Sequence, residues 1–224
     1  MPAHGPRVIA GSARGTELKW PKSGGTRPTT GRLRESLFSM LEAARVSFDS
    51  VLDLYAGSGA LGIEALSRGG GEATFVESDP RAAAVIRENL RRVRMEDRAQ
   101  VRVARVGRWR PPEGTLYTLV LADPPYDGAT PWAAVESAVR GALSDSAAVV
   151  VERDARREAP DSLAGRPLWR DRRQGAGAVA IYRRTADGGD EVWDEASDEI
   201  DEGDETPRTD VGSTDSRYLE GTTT

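Results

Sequence analysis

SVLDLYAGSGALGIEAL, residues 50–66, changes character twice within a short span. Residues 51–54 read as a buried strand, 56–59 as a turn of small residues, and 60–66 as a helix. Small residues at the turn let the backbone come close to a ligand, and the helix start offers free N–H groups. Gly57, Gly59 and Gly62 fit G-x-G-x-x-G, and Glu77 follows Gly57 by 20 residues. A glycine pattern alone is weak. One that follows a strand, opens a helix and has the distal acid points to a bound nucleotide or nucleoside, with the acid on ribose hydroxyls. The competing reading is a tight turn of purely structural use.

Asp53 narrows the choice of nucleoside. It stands four residues before Gly57, at the carboxyl end of the strand. An anion there opposes a pyrophosphate and suits a cationic amino group. S-Adenosylmethionine has an ammonium, a sulfonium and a ribose, and no phosphate. Asp53 near its methionine end and Glu77 on its ribose complement it in charge and hydrogen bonding. Ala56, Gly57, Ser58 and Gly59 complete the expected cofactor cradle. An NAD-dependent oxidoreductase is disfavoured by Asp53 and by the want of a hydride-transfer acid or base.

The chain has 224 residues, enough for one sizeable α/β domain with appendages. No run approaches a membrane span, no apolar signal region opens the chain, and there are no cysteines. A cytoplasmic protein without disulfides is expected. His4 is the single histidine, which disfavours a His-based triad or a multi-histidine metal site. The charge is divided. Residues 186–224 carry 14 Asp and Glu against 2 Arg, a balance of −12, and residues 1–185 carry 22 acids against 29 Lys and Arg, a balance of +7. A basic body is the footprint of a nucleic-acid binder. The plain alternative is abundant arginine, since lysine occurs only at positions 19 and 22. The acidic tail, 186–224, reads as disordered.

Outward from the glycine turn, strands are expected over 73–76, 101–106, 116–122, 147–152 and 178–183, and helices over 32–44, 81–92 and 132–143. Asp79 followed by Pro80 reads as an N-cap and first helical residue. The alternation predicts a doubly wound, Rossmann-like α/β sheet with ligands at the carboxyl ends of its strands. Asp53, Glu77 and Asp123 all fall at such ends. Before this domain, placed at 23–185, residues 1–22 form an extension with a plausible β-hairpin at 7–18. Arg7, Arg14, Lys19, Trp20 and Lys22 make a basic, partly aromatic edge there. It is either an RNA contact or a solvated hairpin over a sheet edge. The loop 23–31 holds Arg27 extended before Pro28, and Thr29 or Thr30 can cap the next helix. That helix has Arg32, Arg34 and Glu35 on its polar face, where solvation is the default. Arg32 joins the candidate RNA contacts.

The apolar run LYTLVLA, residues 116–122, enters Asp123-Pro124-Pro125-Tyr126. Two prolines stiffen the turn and lack N–H donors. The Asp123 carboxylate and the Pro124 carbonyl can then accept the two hydrogens of an exocyclic amine, while Tyr126 stacks on the ring that bears it. Held so, the nitrogen is favoured in a more pyramidal form with its lone pair toward a methyl carbon, and alignment carries much of the catalysis. The competing reading is a rigid turn with a helix-capping acid.

Together, LDLYAGSGALGIEALSRG and DPPY resemble the class I S-adenosylmethionine-dependent methyltransferases that modify exocyclic amines. RVIAGSARGTEL, TRPTTGRLRESLFSML and GAGAVAIYRR make the chain similar to the RsmD family, bacterial enzymes acting on guanine N2 in small-subunit (16S) ribosomal RNA. The resemblance covers residues 7–184. It implies a seven-stranded methyltransferase sheet and an RNA substrate within an assembling small ribosomal subunit. Neither metal nor membrane is expected, and the enzyme is expected to be a monomer. The family's cofactor site falls on Asp53, Ala56, Gly57, Gly59 and Glu77, with Arg27 and Thr29 nearby, and its catalytic motif on Asp123, Pro124, Pro125 and Tyr126. One departure concerns adenine: where the family usually has Asp or Asn after the third strand, this chain has Arg105 or Val106. Alternatives are methylation of adenine N6 in DNA or of a protein glutamine, and a catalytically silent RNA-binding relative.

Overall fold

The computed structural model describes residues 5–21, 31–125 and 131–184. In chain order these form helix α1 (Gly31–Ala43), strand β1 (Ser50–Leu54), α2 (Ala60–Ser67), β2 (Glu72–Glu77), α3 (Pro80–Val93) and β3 (Ala99–Val103). There follow β4 (Tyr117–Ala122), α4 (Trp132–Val139), β5 (Leu143–Asp154), β6 (Ser162–Leu163), β7 (Arg166–Gln174) and β8 (Gly177–Tyr182). The sheet order is β3-β2-β1-β4-β5-β8-β7-β6. The first five strands run parallel, and β8, β7 and β6 are antiparallel to their neighbours. Eight strands stand where seven were expected, the extra one being the two-residue β6 at the edge. The doubly wound α/β architecture is as read from the sequence.

Alternation along the strands sorts the core onto two faces. On one, Val51, Phe75, Leu119, Leu121 and Val150 meet Leu37, Phe38 and Leu41 of α1, Ile63 and Leu66 of α2, and Ile86 and Leu90 of α3. On the other, Leu52, Leu54, Val76, Val120 and Val149 meet Val135 and Val139 of α4 together with Val106 and Trp109. β1 and β4 are buried on both faces, which is why they read as continuous apolar runs.

The glycine turn is shaped by two requirements. Gly59 sits in the left-handed region at φ 77° and caps α2 with no side-chain bond. Gly62 lies against β2, and a Cβ there would come within 2.4 Å of Phe75 Cε1 and 3.0 Å of Asp53 Oδ2. Phe75 is fully buried and cannot yield cheaply. Gly62→Ala is therefore expected to destabilise the protein by about 1–3 kcal/mol through overpacking. Urea denaturation measures it, and an unchanged midpoint would contradict this packing.

Several boundaries differ from expectation for local reasons. α4 ends at Val139, because Gly141 takes φ 72° and the chain turns directly into β5 at Leu143. β3 covers 99–103 and stops short of Val106. β7, RPLWRDRRQ, was not expected because its run of charged residues shows no apolar alternation. Arg34, expected on a solvated face, is buried with its guanidinium against the carbonyl of Arg7 and 4.0 Å from Glu64.

The N-terminal extension is held by side chains more than by strand pairing. Its hairpin contracts to a single bridge, Arg7 to Glu17, with Val8 N–H donating to Thr16 O. Glu64, fully buried on α2, accepts from Ile9 N–H at 2.8 Å and Ala10 N–H at 3.0 Å, and Arg68 Nε donates to it at 2.8 Å. Ser67 Oγ accepts from Ala13 N–H at 2.9 Å. Asn89 on α3 accepts from Lys19 N–H at 2.7 Å and donates to Lys19 O at 3.0 Å. These contacts hold the extension on α2 and α3; the sheet-edge alternative placed it elsewhere.

Candidate active site

A cavity of about 520 Å³ opens at the carboxyl ends of β1, β2 and β4. Asp53, Ala56, Gly57, Ser58, Glu77 and Asp123 all line it. The parallel register explains the meeting. Leu54 pairs with both Val76 and Ala122, so Glu77 and Asp123 emerge at the level of Tyr55, two residues beyond Asp53. Asp123 N–H still reaches Leu54 O at 3.4 Å.

Glu77 holds the turn from the neighbouring strand. One carboxylate oxygen accepts from Gly57 N–H at 2.9 Å and the other from Asp79 N–H at 2.8 Å. Ser78 Oγ also donates to Oε1 at 3.4 Å, and a lone pair remains on Oε2 for a ligand hydroxyl. Asp79 caps α3 as expected, accepting from Arg81 N–H at 2.8 Å with Pro80 behind it.

Asp53 is almost wholly buried, and its Oδ2 accepts from Gly62 N–H at 2.9 Å, in the first turn of α2. Burial pushes its carboxyl up to about 8; the Gly62 N–H pulls it down and the Glu77 charge pushes it further up. The acid is therefore held mostly neutral at pH 7, and a cation brought into the cavity favours its ionised form.

On the turn after β4, Asp123 and Pro125 line the cavity, while Pro124 is buried. Tyr126 lies outside the described residues, as do Arg27, Thr29, Thr30, Lys22 and the 186–224 tail. Residues 104–107 form the far wall. Arg105 is exposed there and Val106 buried, in the place where the family resemblance leads one to expect a carboxylate or amide. Of the candidate RNA contacts, Arg7, Arg14, Lys19 and Arg32 are all exposed; Arg7 meets Glu17 at 3.3 Å and Lys19 is ion-paired with Glu88.

Residues that the sequence reading did not assign to the cavity also build it. Pro6, Trp20 and Pro21 line it from the extension and Tyr55 from the glycine turn. Tyr55 takes φ 58°, a left-handed conformation costly for a bulky residue, and burial pushes its phenol up. Asn89 joins the extension to the turn, since its Nδ2 donates to Lys19 O and also to Ser58 O at 2.9 Å. One signal was available: Asn89 falls on the apolar stripe of α3, three after Ile86 and beside Leu90, where a polar residue needs a reason. Asn89→Ala removes the partner of the part-buried Lys19 N–H and C=O and of the buried Ser58 carbonyl. A stability loss of about 2–3 kcal/mol is expected, with cofactor affinity lowered as the Trp20 wall loosens. Thermal melts and titration calorimetry report the two effects separately.

Fold and cavity together define the class: an open sheet of the class I methyltransferase type, with a nucleoside-sized cavity at the carboxyl ends of its parallel strands. A family model described as "Conserved hypothetical protein 95" matches residues 6–183. The chain belongs to that family, in agreement with the RsmD resemblance of its motifs. It is 35% identical over 187 residues to the "Ribosomal RNA small subunit methyltransferase D" of Escherichia coli K12, covering 81% of this chain and 91% of that protein. The protein YlbH of Bacillus subtilis is 34% identical over 192 residues, 80% of this chain and 98% of the relative. Among solved structures, the yhhF protein of Escherichia coli superposes with a TM-score of 0.66 at 33% identity, covering 81% of this chain and 99% of the other.

Proposed function

We propose that this methyltransferase moves a methyl group from S-adenosylmethionine to the N2 amine of a guanine in small-subunit ribosomal RNA. The observation that carries the reading is the convergence of Asp53, Glu77 and Asp123 on one cavity. About 520 Å³ lies in the range of small-molecule and cofactor sites. When bound, the cofactor supplies a methyl carbon on a cationic sulfur that leaves as a neutral thioether.

The chain's own groups do the positioning. Asp53 pairs with the cofactor's ammonium, and Glu77 takes its ribose hydroxyls while fixing Gly57. The Asp123 carboxylate and the Pro124 carbonyl accept the two hydrogens of the target amine. The nitrogen lone pair forms the new N–C bond, the C–S pair returns to sulfur, and the nitrogen's extra proton leaves to Asp123 or to water. No acid is needed for a neutral leaving group. A guanine in a helix must leave its stack to reach this turn. Arg14 of the extension and Arg32 at the start of α1 are exposed to meet RNA.

The test is methyl transfer from labelled cofactor to unmethylated small-subunit particles, with nucleoside analysis. N2-methylguanosine supports the reading. Label on adenine or on a protein glutamine would keep the fold and reject the substrate.

A further inference from the structure

The extension's cations Arg7 and Lys19 already have acidic partners, and this directs attention to another basic surface. The segment 104–116, between β3 and β4, contains Arg105, Arg108 and Arg110 with one acid, Glu113. All three guanidinium groups are exposed. Arg105 and Arg108 have no ion-pair partner among the described residues. Arg110 donates to Trp109 O at 2.7 Å and to Ser137 Oγ at 2.6 Å, and it too has no ion-pair partner among the described residues.

The segment is anchored. Ala104 N–H donates to Glu77 O at 2.9 Å, Val106 is buried, and Trp109 packs its partly buried ring against the core below α4. Pro111 and Pro112 stiffen its exit. It therefore presents arginines from a fixed backbone. Its position matters as much as its charge. Arg105 and Gly107 line the cavity wall, and a Cβ built on Gly107 would lie 3.6 Å from Ala134 Cβ in the first turn of α4. The basic strip thus runs from the cavity mouth to the helix that follows the Asp123-Pro124-Pro125 turn.

We infer that Arg105, Arg108 and Arg110 form a phosphate-binding strip that holds the RNA backbone beside the cavity while the target base enters it. Three guanidinium groups along one segment with a single acid repel one another and are relieved by an anion. Each can take a phosphate through paired N–H donors. The inference rests on the RNA reading above and names the surface that serves it.

The test is RNA affinity over a series of salt concentrations, using a small-subunit ribosomal RNA fragment, for wild type and for Arg108→Ala/Arg110→Ala. Arg105 is left intact because it lines the cavity. Arg108→Glu, at an exposed residue, is the second variant in case loss of the Ser137 contact disturbs α4. The double variant is expected to bind RNA about tenfold more weakly at low salt. Its slope of log affinity against log salt should be shallower by about 1.4–1.8, the release expected for two phosphate contacts. Cofactor affinity stays unchanged. Arg7→Ala/Lys19→Ala should shift RNA affinity by less. Unchanged affinity and slope in both strip variants, with wild type still methylating RNA, would overturn the strip and leave the proposed function standing. A larger loss in the Arg7/Lys19 variant would overturn it in favour of the extension. A wild type that neither binds nor methylates RNA would remove both readings.

Discussion

Asp123→Ala is expected to lower methyl transfer by about 10²–10³-fold, the scale on which a transition-state hydrogen-bonding group acts, with cofactor binding intact. The split follows from position. Asp123 follows β4 and faces the cavity beside Pro125, whereas the cofactor's proposed partners, Asp53 and Glu77, sit on β1 and β2. Removing one acceptor leaves the amine with only the Pro124 carbonyl, so its lone pair is no longer directed. Asp123→Asn keeps an acceptor but turns a donor toward the amine, and a loss of about tenfold is expected, near 1.4 kcal/mol. Single-turnover transfer with calorimetric cofactor binding distinguishes the outcomes. Loss of cofactor binding in Asp123→Ala would move Asp123 into the cofactor site, and full activity would remove its role.

Asp53→Asn carries the second large effect, and it has opposite signs for stability and binding. The Asp53 carboxyl is held at about 8 in the folded chain, mainly by burial, against an ordinary 3.8 unfolded. A group raised in this way contributes its full stability below the unfolded value and loses it as pH rises through the folded value. Between pH 4 and pH 7 the loss is on the order of 4 kcal/mol, at 1.36 kcal/mol per pH unit. Asparagine keeps an oxygen for Gly62 N–H and does not titrate. The variant should match wild type near pH 4 and be more stable at pH 7 to 8. Its cofactor affinity should nevertheless fall about 100-fold, because the charge proposed to face the ammonium is gone.

Proton linkage supplies the finer check on Asp53. In wild type, a bound cation ionises the acid, so affinity rises from pH 6 to 8 and binding releases a proton from Asp53; in the variant that proton is absent. Urea denaturation across pH and calorimetry in two buffers of different ionisation heat measure both. Parallel stability curves for the two proteins would show that Asp53 ionises normally.

The strand, turn and helix at 50–66 were legible from sequence because each follows local rules: an apolar run, residues able to take positive φ, and a helical stripe. Asp53, Glu77 and Asp123 were legible as a set because strand-terminal acids in a parallel sheet must emerge on one edge. The Asp79 cap and its proline are equally local. Burial of Arg34 and Glu64, the bonds of Asn89 and the cavity walls at Trp20, Pro21 and Tyr55 were not legible. Each depends on a partner dozens of residues away, and no local pattern records which polar side chain will meet which backbone group. The charged β7 failed for a related reason, since it is specified by pairing with its neighbour β8 and not by its own alternation. Sequence alone therefore determined the doubly wound sheet, the glycine turn and the three acids that meet beside it. Only the tertiary structure decided that the extension completes the cavity, that Asp53 is held largely protonated, and that unpaired arginines lie on the β3–β4 segment, because burial and charge pairing are properties of assembled surfaces.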